Sequence, residues 1–376
     1  MAKPGILFVT PWLLAGGIER TLQVKIPWFA RQGYRVQCLA WRIADRLSGQ
    51  PNPTLTVFGE HGVPVRGLPA DGRLQLLRHA ARVAALALRG DYHIAVGHEL
   101  VANMVVVLAK VLTGGRLRAI AQVHNEPVTY AATGASPRLL RLARRLYRRA
   151  DDTVAVSKDL RRHHAQFFDL DPRTVRTIYN PFPLGGIRAL AREPAPAVDA
   201  LRPFIVAAGR LAEIKGFPDL IHGFSRVRER GDARLVILGD GPDREKLVQC
   251  AADHGVASDV HLPGFATNPY AYFGRSHCFV LSSRSEGLAN VVIEAMACGT
   301  PIVSSRCGGA EEVIEDGRTG LLYDVGDVHG LAHALEVILT QPSRAAALAA
   351  AARERVAAFS EDQILPRLEA CYLGRS

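Results

Sequence analysis

SRSEGLANVVIEAMACGTPIV, residues 283–303 of this 376-residue chain, carries a complete α/β crossover in one line. The apolar run Cys278–Ser282 ahead of it has the length of a buried strand, and Pro301–Ser304 at its end has the same character. Between them the sequence predicts a loop over Glu286–Asn290 and a helix from about Val291, with Asn290 as its cap. Strand, helix and strand joined this way make parallel neighbours, because only a long crossover can bring the chain back to the same edge. The backbone N–H groups of Gly287, Leu288 and Ala289 then converge on a helix start, which suits an anion. Glu286 in the loop and Glu294 one turn into the helix face the same mouth. Ionised carboxylates only accept hydrogen bonds, so two of them suit a ligand rich in hydroxyls. Spacing alone leaves a second reading open: Glu294 as an acid favoured by the helix dipole, Glu286 as a solvated loop residue.

The same rhythm extends in both directions. Ile6–Thr10, Val36–Trp41, His93–Gly97, Ala119–His124 and Thr153–Ser157 read as strands in the first half, with helical periods such as Leu22–Gln32 and Leu74–Leu88 between them. Phe204–Gly209, Arg234–Gly239, Val260–Leu262 and Gly320–Tyr323 continue the pattern in the second half. The expected fold class is therefore α/β: two Rossmann-like domains whose parallel sheets face a central cleft, with ligands at the carboxyl ends of the strands. Residues 1–185 form the first domain. The Pro-, Gly- and Ala-rich stretch 186–202 is the linker, and 203–357 is the second domain. Near the start of the second domain, AAGRLAEIKGFPDLI (207–221) closes a strand at Gly209 and places Arg210 and Lys215 in the loop before a helix. Two cations there would neutralise a diphosphate; as plain surface residues of a βα loop they would do little.

Bulk properties narrow the classes. Hydrophobic residues make up 48% and charged ones 22%, which excludes a disordered or fibrous chain. Six scattered cysteines show no metal-like spacing and read as reduced thiols of a cytoplasmic protein. Pro11 interrupts the apolar opening of the chain, so it reads as a first strand rather than a signal peptide, and Val101–Thr113 is too short to span a bilayer. The net charge of +10 divides unevenly: residues 1–185 hold 26 Lys/Arg against 12 Asp/Glu, a surplus of 14, whereas 186–376 are mildly acidic. Much of the surplus lies in SPRLLRLARRLYRRA (136–150), with Leu139, Leu142, Leu146 and Tyr147 on one side and six arginines on the remainder. Such a helix suits anionic lipid or an acidic ligand, or else a core-packed helix with a solvated face. With aromatics at 7% and none interleaved in a recognition motif, nucleic acid is not an expected partner.

G-R-x-x-x-x-K-G from Gly209, followed by E-G-x-x-N-x-x-x-E-A-M-A-C-G-x-P from Glu286, strongly resembles the retaining glycosyltransferases of family 4 (group 1), which have the GT-B fold. Further fragments follow in the family's order: GGIER (16–20), VAVSKDL (154–160), TIYNPF (177–182), GDGPDREKL (239–247), PGF (263–265) and GGAEEVIEDGRTGLL (308–322). The resemblance implies a nucleotide-diphosphate sugar as donor, a UDP-sugar carrying a hexose or N-acetylhexosamine, and a glycan or lipid-linked acceptor of envelope polysaccharide or lipopolysaccharide synthesis. It implies that Arg210 and Lys215 hold the diphosphate, Glu286 the transferred sugar and Glu294 the ribose. Gly287, Leu288, Ala289 and Asn290 would meet phosphate or sugar oxygens, with Gly209, Gly241 and Phe265 beside the nucleotide. Gly16 and Gly17 would let the first-domain loop approach the phosphates, and His124 in QVHNEP would touch the donor sugar. A C-terminal helix at about 358–376 would cross back onto the first domain. No DxD-type pair follows a strand, so neither metal nor other cofactor is expected, and the enzyme would sit in the cytoplasm or on the inner membrane face. An epimerase of the same fold or an inactive nucleotide-sugar-binding subunit remains the competing reading.

Overall fold

The computed structural model describes residues 3–14, 16–47, 50–68, 74–127, 129–130, 134–228 and 233–375. The chain divides into two α/β units, Met1–Phe182 with Glu361–Ser376 and Pro183–Ser360. In the first unit the strands are β1 (Ile6–Leu13), β2 (Val36–Ile43), a small antiparallel hairpin of β3 (Arg46–Leu47) and β4 (Gln50–Pro51), then β5 (Val65–Gly67), β6 (Ile94–His98), β7 (Arg118–Val123), β8 (Asp152–Ala155) and β9 (Val175–Thr177). Seven of them form a sheet in the order β5-β2-β1-β6-β7-β8-β9, every pair parallel. The chain runs outward from β1 on one side and returns to its other side for β6. Strand order therefore reverses between β1 and β6, where the connecting loops part and leave room for a ligand.

The second unit repeats this plan with β10 (Phe204–Ala208), β11 (Arg234–Leu238), β12 (Val260–Gly264), β13 (Cys278–Leu281), β14 (Ile302–Ser305) and β15 (Leu321–Tyr323). The order is β12-β11-β10-β13-β14-β15, again all parallel, and the reversal falls between β10 and β13. Its core joins Ile205, Ile237 and Val280 from the sheet to Leu220, Phe224, Leu331 and Leu335 from the covering helices.

Several boundaries differ from those expected of the sequence. Pro11 does not end the first strand: β1 continues to Leu13 on the β2 side, while its pairing with β6 stops at Val9. A residue with no N–H is tolerated there because only one side of the strand is paired. The three-residue strands β5 and β9 carry too little pattern to be read from sequence. Asn290 is the first residue of the helix Asn290–Cys298 rather than its cap, which is Ala289. Residues 186–202 are not an unstructured linker. They contribute to the helices Leu184–Arg192 and Pro196–Asp199 of the second unit, where Arg275 donates to the carbonyls of Ala191 and Glu193. No described helix is long and apolar enough to cross a membrane.

The C-terminal helix Glu361–Tyr372 belongs to the first unit. It follows the Phe182 carbonyl, which accepts from Glu361 N at 2.9 Å, and sends Ile364, Leu365, Leu368, Cys371 and Tyr372 into the core around Ile6, Phe8, Ile26 and Phe29. Tyr372 stacks on Phe29 at 5.4 Å between ring centroids, meets Phe8 edge-on at 6.4 Å and donates from Oη to Gln122 Oε1 at 3.2 Å. Replacing so large a buried ring with a methyl costs about 3–5 kcal/mol in typical cores. Tyr372→Ala should therefore lower the first unit's melting temperature by several degrees in calorimetry, while Tyr372→Phe, which loses only the hydroxyl, should lose about 1 kcal/mol. Equal stability of Tyr372→Ala and wild type would mean that the helix is not an integral part of that core.

Candidate functional site

In the second unit two loops emerge on either side of the β10/β13 reversal. The chain leaves β10 through Gly209 and Arg210 into a short 3-10 turn, Glu213–Lys215, and leaves β13 through Ser282, Ser283 and Glu286. Lys215 Nζ donates to Glu286 Oε1 at 2.6 Å, and Ser283 Oγ donates to the same oxygen at 2.6 Å. Ser282 Oγ donates to the Lys215 carbonyl at 2.8 Å, and Arg284 N donates to the Ile214 carbonyl at 2.8 Å. Glu286 Oε2 has no partner among the described residues. Arg210 is exposed and likewise has no ion-pair or hydrogen-bond partner among them. The amides of Gly287, Leu288 and Ala289 donate to no described residue, so three N–H groups precede the helix start as the sequence suggested.

Glycines set these loops at backbone distance. Gly216 sits at φ +61°, and a Cβ there would run into the Ser282 carbonyl oxygen. At Gly209 the missing side chain leaves room for the Lys215 stem, whose Cε lies 3.3 Å from where a Cβ would be. Gly239 (φ +126°) and Gly241 press against the carbonyls of Gly209 and Leu211, so GDGP is a βα turn clamped to the β10 loop. Gly239 N donates to the Gly264 carbonyl at 2.8 Å, which brings the 46%-exposed ring of Phe265 to this same edge. Glu294, the fifth residue of its helix, is buried and accepts from Tyr270 Oη at 3.4 Å. Tyr270 has no motif around it and was not singled out from sequence.

Gly16, Gly17 and His124 lie in the first unit. Gly16 is the extended N-cap of the helix Gly17–Arg31, but the space beside it is taken: a Cβ there would meet Glu19 Oε2 at 2.7 Å. Glu19 Oε1 accepts from Leu14 N at 3.2 Å, and burial, working against that bond, pushes its carboxyl above the usual range. His124, at the carboxyl end of β7, is buried and hydrogen-bonded through Nε2 to His98 Nδ1 at 3.0 Å. The two imidazoles meet edge to edge through that bond, with centroids 5.2 Å apart, and Phe8 lies nearly parallel to His98 at 6.3 Å. Burial pushes both rings well below the ordinary histidine range, with the nearby Lys25 amine adding to it. Lys25 is itself buried, makes no hydrogen bond through Nζ, and is brought down to about 7 by desolvation. Glu99, held at φ 78° and accepting from Asn125 Nδ2 at 2.7 Å, is raised to about 7 by burial. Glu19, Lys25, His98 and Glu99 were all missed from sequence. The only available sign was a charged or imidazole residue inside otherwise apolar strand and helix patterns.

One group of possible metal ligands comes together among the described residues. Glu126, Asp159 and His163 place their ligating atoms within 4.8 Å of one another. His163 Nδ1 lies 3.0 Å from Glu126 and 3.5 Å from Asp159, and Arg162 also pairs with Asp159, so the group's charges are matched internally. The arginine-rich helix is Pro137–Tyr147, capped by Ser136. It buries Ala143, Leu146 and Tyr147, but Leu142 is 40% exposed among the arginines, not on the core side as expected. Arg144 and Arg148 pair with Asp169.

The sequence matches two family profiles, "Glycosyltransferase Family 4" over residues 15–185 and "Glycosyl transferases group 1" over 193–355. A lipopolysaccharide core biosynthesis glycosyltransferase of Rhizobium meliloti is 36% identical over 195 residues, 51% of this chain and 56% of that protein, so the match spans little more than half of that relative. N-acetyl-alpha-D-glucosaminyl L-malate synthase of Bacillus anthracis is 26% identical over 78% of this chain and 77% of its own. Among solved structures, an Anabaena protein in complex with UDP-glucose superposes with a TM-score of 0.84, covering 99% of this chain and all of that one at 21% identity. That likeness shows the fold.

The backbone contact at Gly216 makes a testable claim about the two loops. Gly216→Ala adds a methyl where φ is positive and the Ser282 carbonyl is already in contact. The variant should lose about 1–3 kcal/mol in denaturant unfolding and exchange the hydrogen of the Arg284 amide faster. Wild-type values in both would show that the loops do not need this approach.

Proposed function

The chain belongs to the group 1 glycosyltransferases and has their GT-B fold, and from that premise we propose that it transfers a sugar from a nucleotide diphosphate with retention of anomeric configuration. The donor is a UDP-hexose or UDP-N-acetylhexosamine, and the acceptor a glycan or lipid-linked saccharide of envelope polysaccharide or lipopolysaccharide synthesis. The observation that carries this reading is the cluster at the β10/β13 reversal: Lys215 held at 2.6 Å from Glu286, an exposed Arg210 and three free amides. Two relatives support the class by their own names, one a lipopolysaccharide core biosynthesis glycosyltransferase and one an N-acetyl-alpha-D-glucosaminyl L-malate synthase.

The chemistry follows from charge. When the bond from the anomeric carbon to the phosphate oxygen breaks, negative charge grows on the leaving diphosphate. Lys215, held by Glu286, and the amides of residues 287–289 are in place before the reaction, and the exposed Arg210 adds its charge beside them. Glu286, with one oxygen engaged by Lys215 and Ser283, keeps Oε2 to accept from a hydroxyl of the transferred sugar. Glu294 accepts from the ribose, and Phe265 covers the base. The new bond forms from the acceptor oxygen to the anomeric carbon on the face the diphosphate leaves, and the acceptor's proton passes to the leaving phosphate oxygen. In the first unit, His124 is the group assigned to a sugar oxygen. No metal or other cofactor takes part; the two cations do its work.

Removing one preorganised cation typically costs about 3–4 kcal/mol of transition-state stabilisation. Arg210→Ala and Lys215→Ala should therefore each lower turnover at least about a hundredfold, as read by mass spectrometry of products from a panel of nucleotide sugars, the first with its melting temperature little changed and the second with a lower one because Glu286 loses its partner. Activity of the wild type should survive excess EDTA. Near-normal turnover in both variants would remove the diphosphate assignment, and loss in EDTA restored by Mg²⁺ would require a metal.

The acceptor side is the basic first unit, and its surface at Pro137–Tyr147 is suited to an anionic cytoplasmic leaflet. Exposed Leu142 lies among Arg138, Arg141 and Arg145, with Arg144 and Arg148 partly spent on Asp169. Each basic residue near such a surface contributes about 1 kcal/mol, screened by salt. Binding to phosphatidylserine-containing vesicles should fall steeply between low and physiological salt, and Arg138, Arg141 and Arg145 changed together to Gln should abolish it while sparing donor hydrolysis. Indifference of the wild type to such vesicles at low salt would leave a soluble acceptor.

A further inference from the structure

At the amino ends of β2, β5 and β6 the first unit holds a cavity of about 450 Å³, a size usual for small-molecule sites. Most of the polar groups on its wall are already spent. Arg35 donates to Asp91 Oδ1 at 2.5 Å and lies over the Tyr92 ring, 5.5 Å from its centroid. Tyr34 donates to Glu369 Oε1 at 2.6 Å. His61, which ends the helix Pro53–Glu60, meets Arg31 through Nε2 at 3.0 Å. Arginine can only donate, so that nitrogen accepts, and the ring carries its hydrogen on Nδ1, bonded to the Val57 carbonyl at 2.9 Å. His61 is therefore neutral.

Three groups on the same wall are left over. Arg66 in β5 and Arg89, just after the helix Gln75–Leu88, are exposed, and their side chains have no ion-pair or hydrogen-bond partner among the described residues. Gln37 in β2 is only 3% exposed, yet its amide makes no hydrogen bond to any described residue either. That amide is open to the cavity rather than sealed in the core. An unpaired buried amide costs about 1–3 kcal/mol, so whatever fills the cavity has to supply its partner. Asp91 is the only acid on the described wall and is matched by Arg35, which leaves two unspent positive charges. Ala30, Val36, Pro64 and Leu86 make the rest of the wall apolar, which concentrates the field of those charges in the opening.

We propose that this cavity is a second ligand site, for a small phosphate monoester that carries hydroxyl groups. Guanidinium forks match phosphate oxygens in pairs. A monoester holds close to two negative charges at neutral pH, the number that Arg66 and Arg89 leave unmatched. The Gln37 amide both donates and accepts, which suits a hydroxyl, and the apolar wall takes the carbon skeleton. The walls are set before a ligand arrives, because Arg35, Tyr34 and His61 are each held by a partner of their own. Open parallel sheets take their substrates at the carboxyl ends of the strands. A ligand at the amino ends leaves that crevice of the sheet free, and the inference does not depend on the transferase reading.

The test is isothermal titration calorimetry of the full chain with glucose 6-phosphate, inorganic phosphate, citrate and glucose as probes. The chain carries Arg210→Ala and Lys215→Ala, so that the loop after β10 does not take up phosphate. Glucose 6-phosphate should bind at least about tenfold more tightly than inorganic phosphate or citrate, and glucose should give no binding heat. Arg66→Gln and Arg89→Gln should each weaken the ester at least about tenfold. Arg78→Gln, which changes an exposed arginine of the helix Gln75–Leu88 outside the cavity, should leave it unchanged. Gln37→Leu removes an unpaired amide and should be at least as stable as its parent, yet bring the ester down to the affinity of inorganic phosphate. No binding of the ester, equal affinity for ester and inorganic phosphate, or the same loss in Arg78→Gln as in Arg66→Gln would overturn the proposal. Tighter binding of citrate than of the ester would overturn it in favour of a carboxylate site.

Discussion

An ammonium 2.6 Å from a carboxylate, Lys215 against Glu286, bridges two loops that the strand order sends apart. β10 and β13 are neighbours in the sheet, but their connections leave towards opposite sides, and the backbone hydrogen bond from Arg284 N to the Ile214 carbonyl is joined by other contacts in holding the resulting crevice to a fixed width. These are the ion pair, the Ser282 hydroxyl on the Lys215 carbonyl and the contact at Gly216. The pair is partly buried, at 20% and 14% side-chain exposure, so water screens it less than a surface pair. On the proposed reading, a diphosphate arriving at Lys215 competes with Glu286, so donor binding and the freeing of a carboxylate oxygen are one exchange of partners.

The first unit depends on a different chain of contacts. The C-terminal helix brings Tyr372 against Phe8, Phe8 stacks on His98, and His98 fixes His124. Residues at the far end of the sequence thus support the ring that sits at the carboxyl end of β7, and Tyr372 also holds Gln122, two positions before it, through its hydroxyl. Packing this dense transmits small displacements rather than absorbing them. A substitution in the C-terminal helix therefore acts on His124 through three aromatic contacts, without touching any loop of the site.

The strands and helices of both sheets were legible because buried parallel strands are continuous apolar runs and their covering helices keep a regular period. The loops at the β10/β13 reversal were legible too, since Gly, Lys and Glu at fixed spacing mark tight turns and charge. Three-residue edge strands carry no such pattern, and 186–202 looked like a linker because Pro and Ala conceal two short helices. Lys25, His98 and Glu99 escaped notice for another reason. Their importance lies in burial and in which neighbour each meets, and neither quantity exists until the sheet has brought β1, β6 and β7 side by side.

Glu19 sets the local potential of the loop after β1. Two glycines before a helix suggest an anion cradle, yet the Glu19 carboxyl stands beside Gly16 and takes the Leu14 amide. An ionised carboxylate in that position repels phosphate, and burial raises the pH at which it ionises. The loop after β1 is therefore a weak source of positive potential, whatever the surplus of arginine elsewhere in its unit. Those arginines lie on an outward helix face, and Arg144 and Arg148 are met by Asp169. The mildly acidic second unit, by contrast, aims Arg210, Lys215 and three amides at one edge. Net charge by domain is thus a poor guide to local potential: a few donors in two loops can outweigh a surplus of fourteen charges spread over a surface.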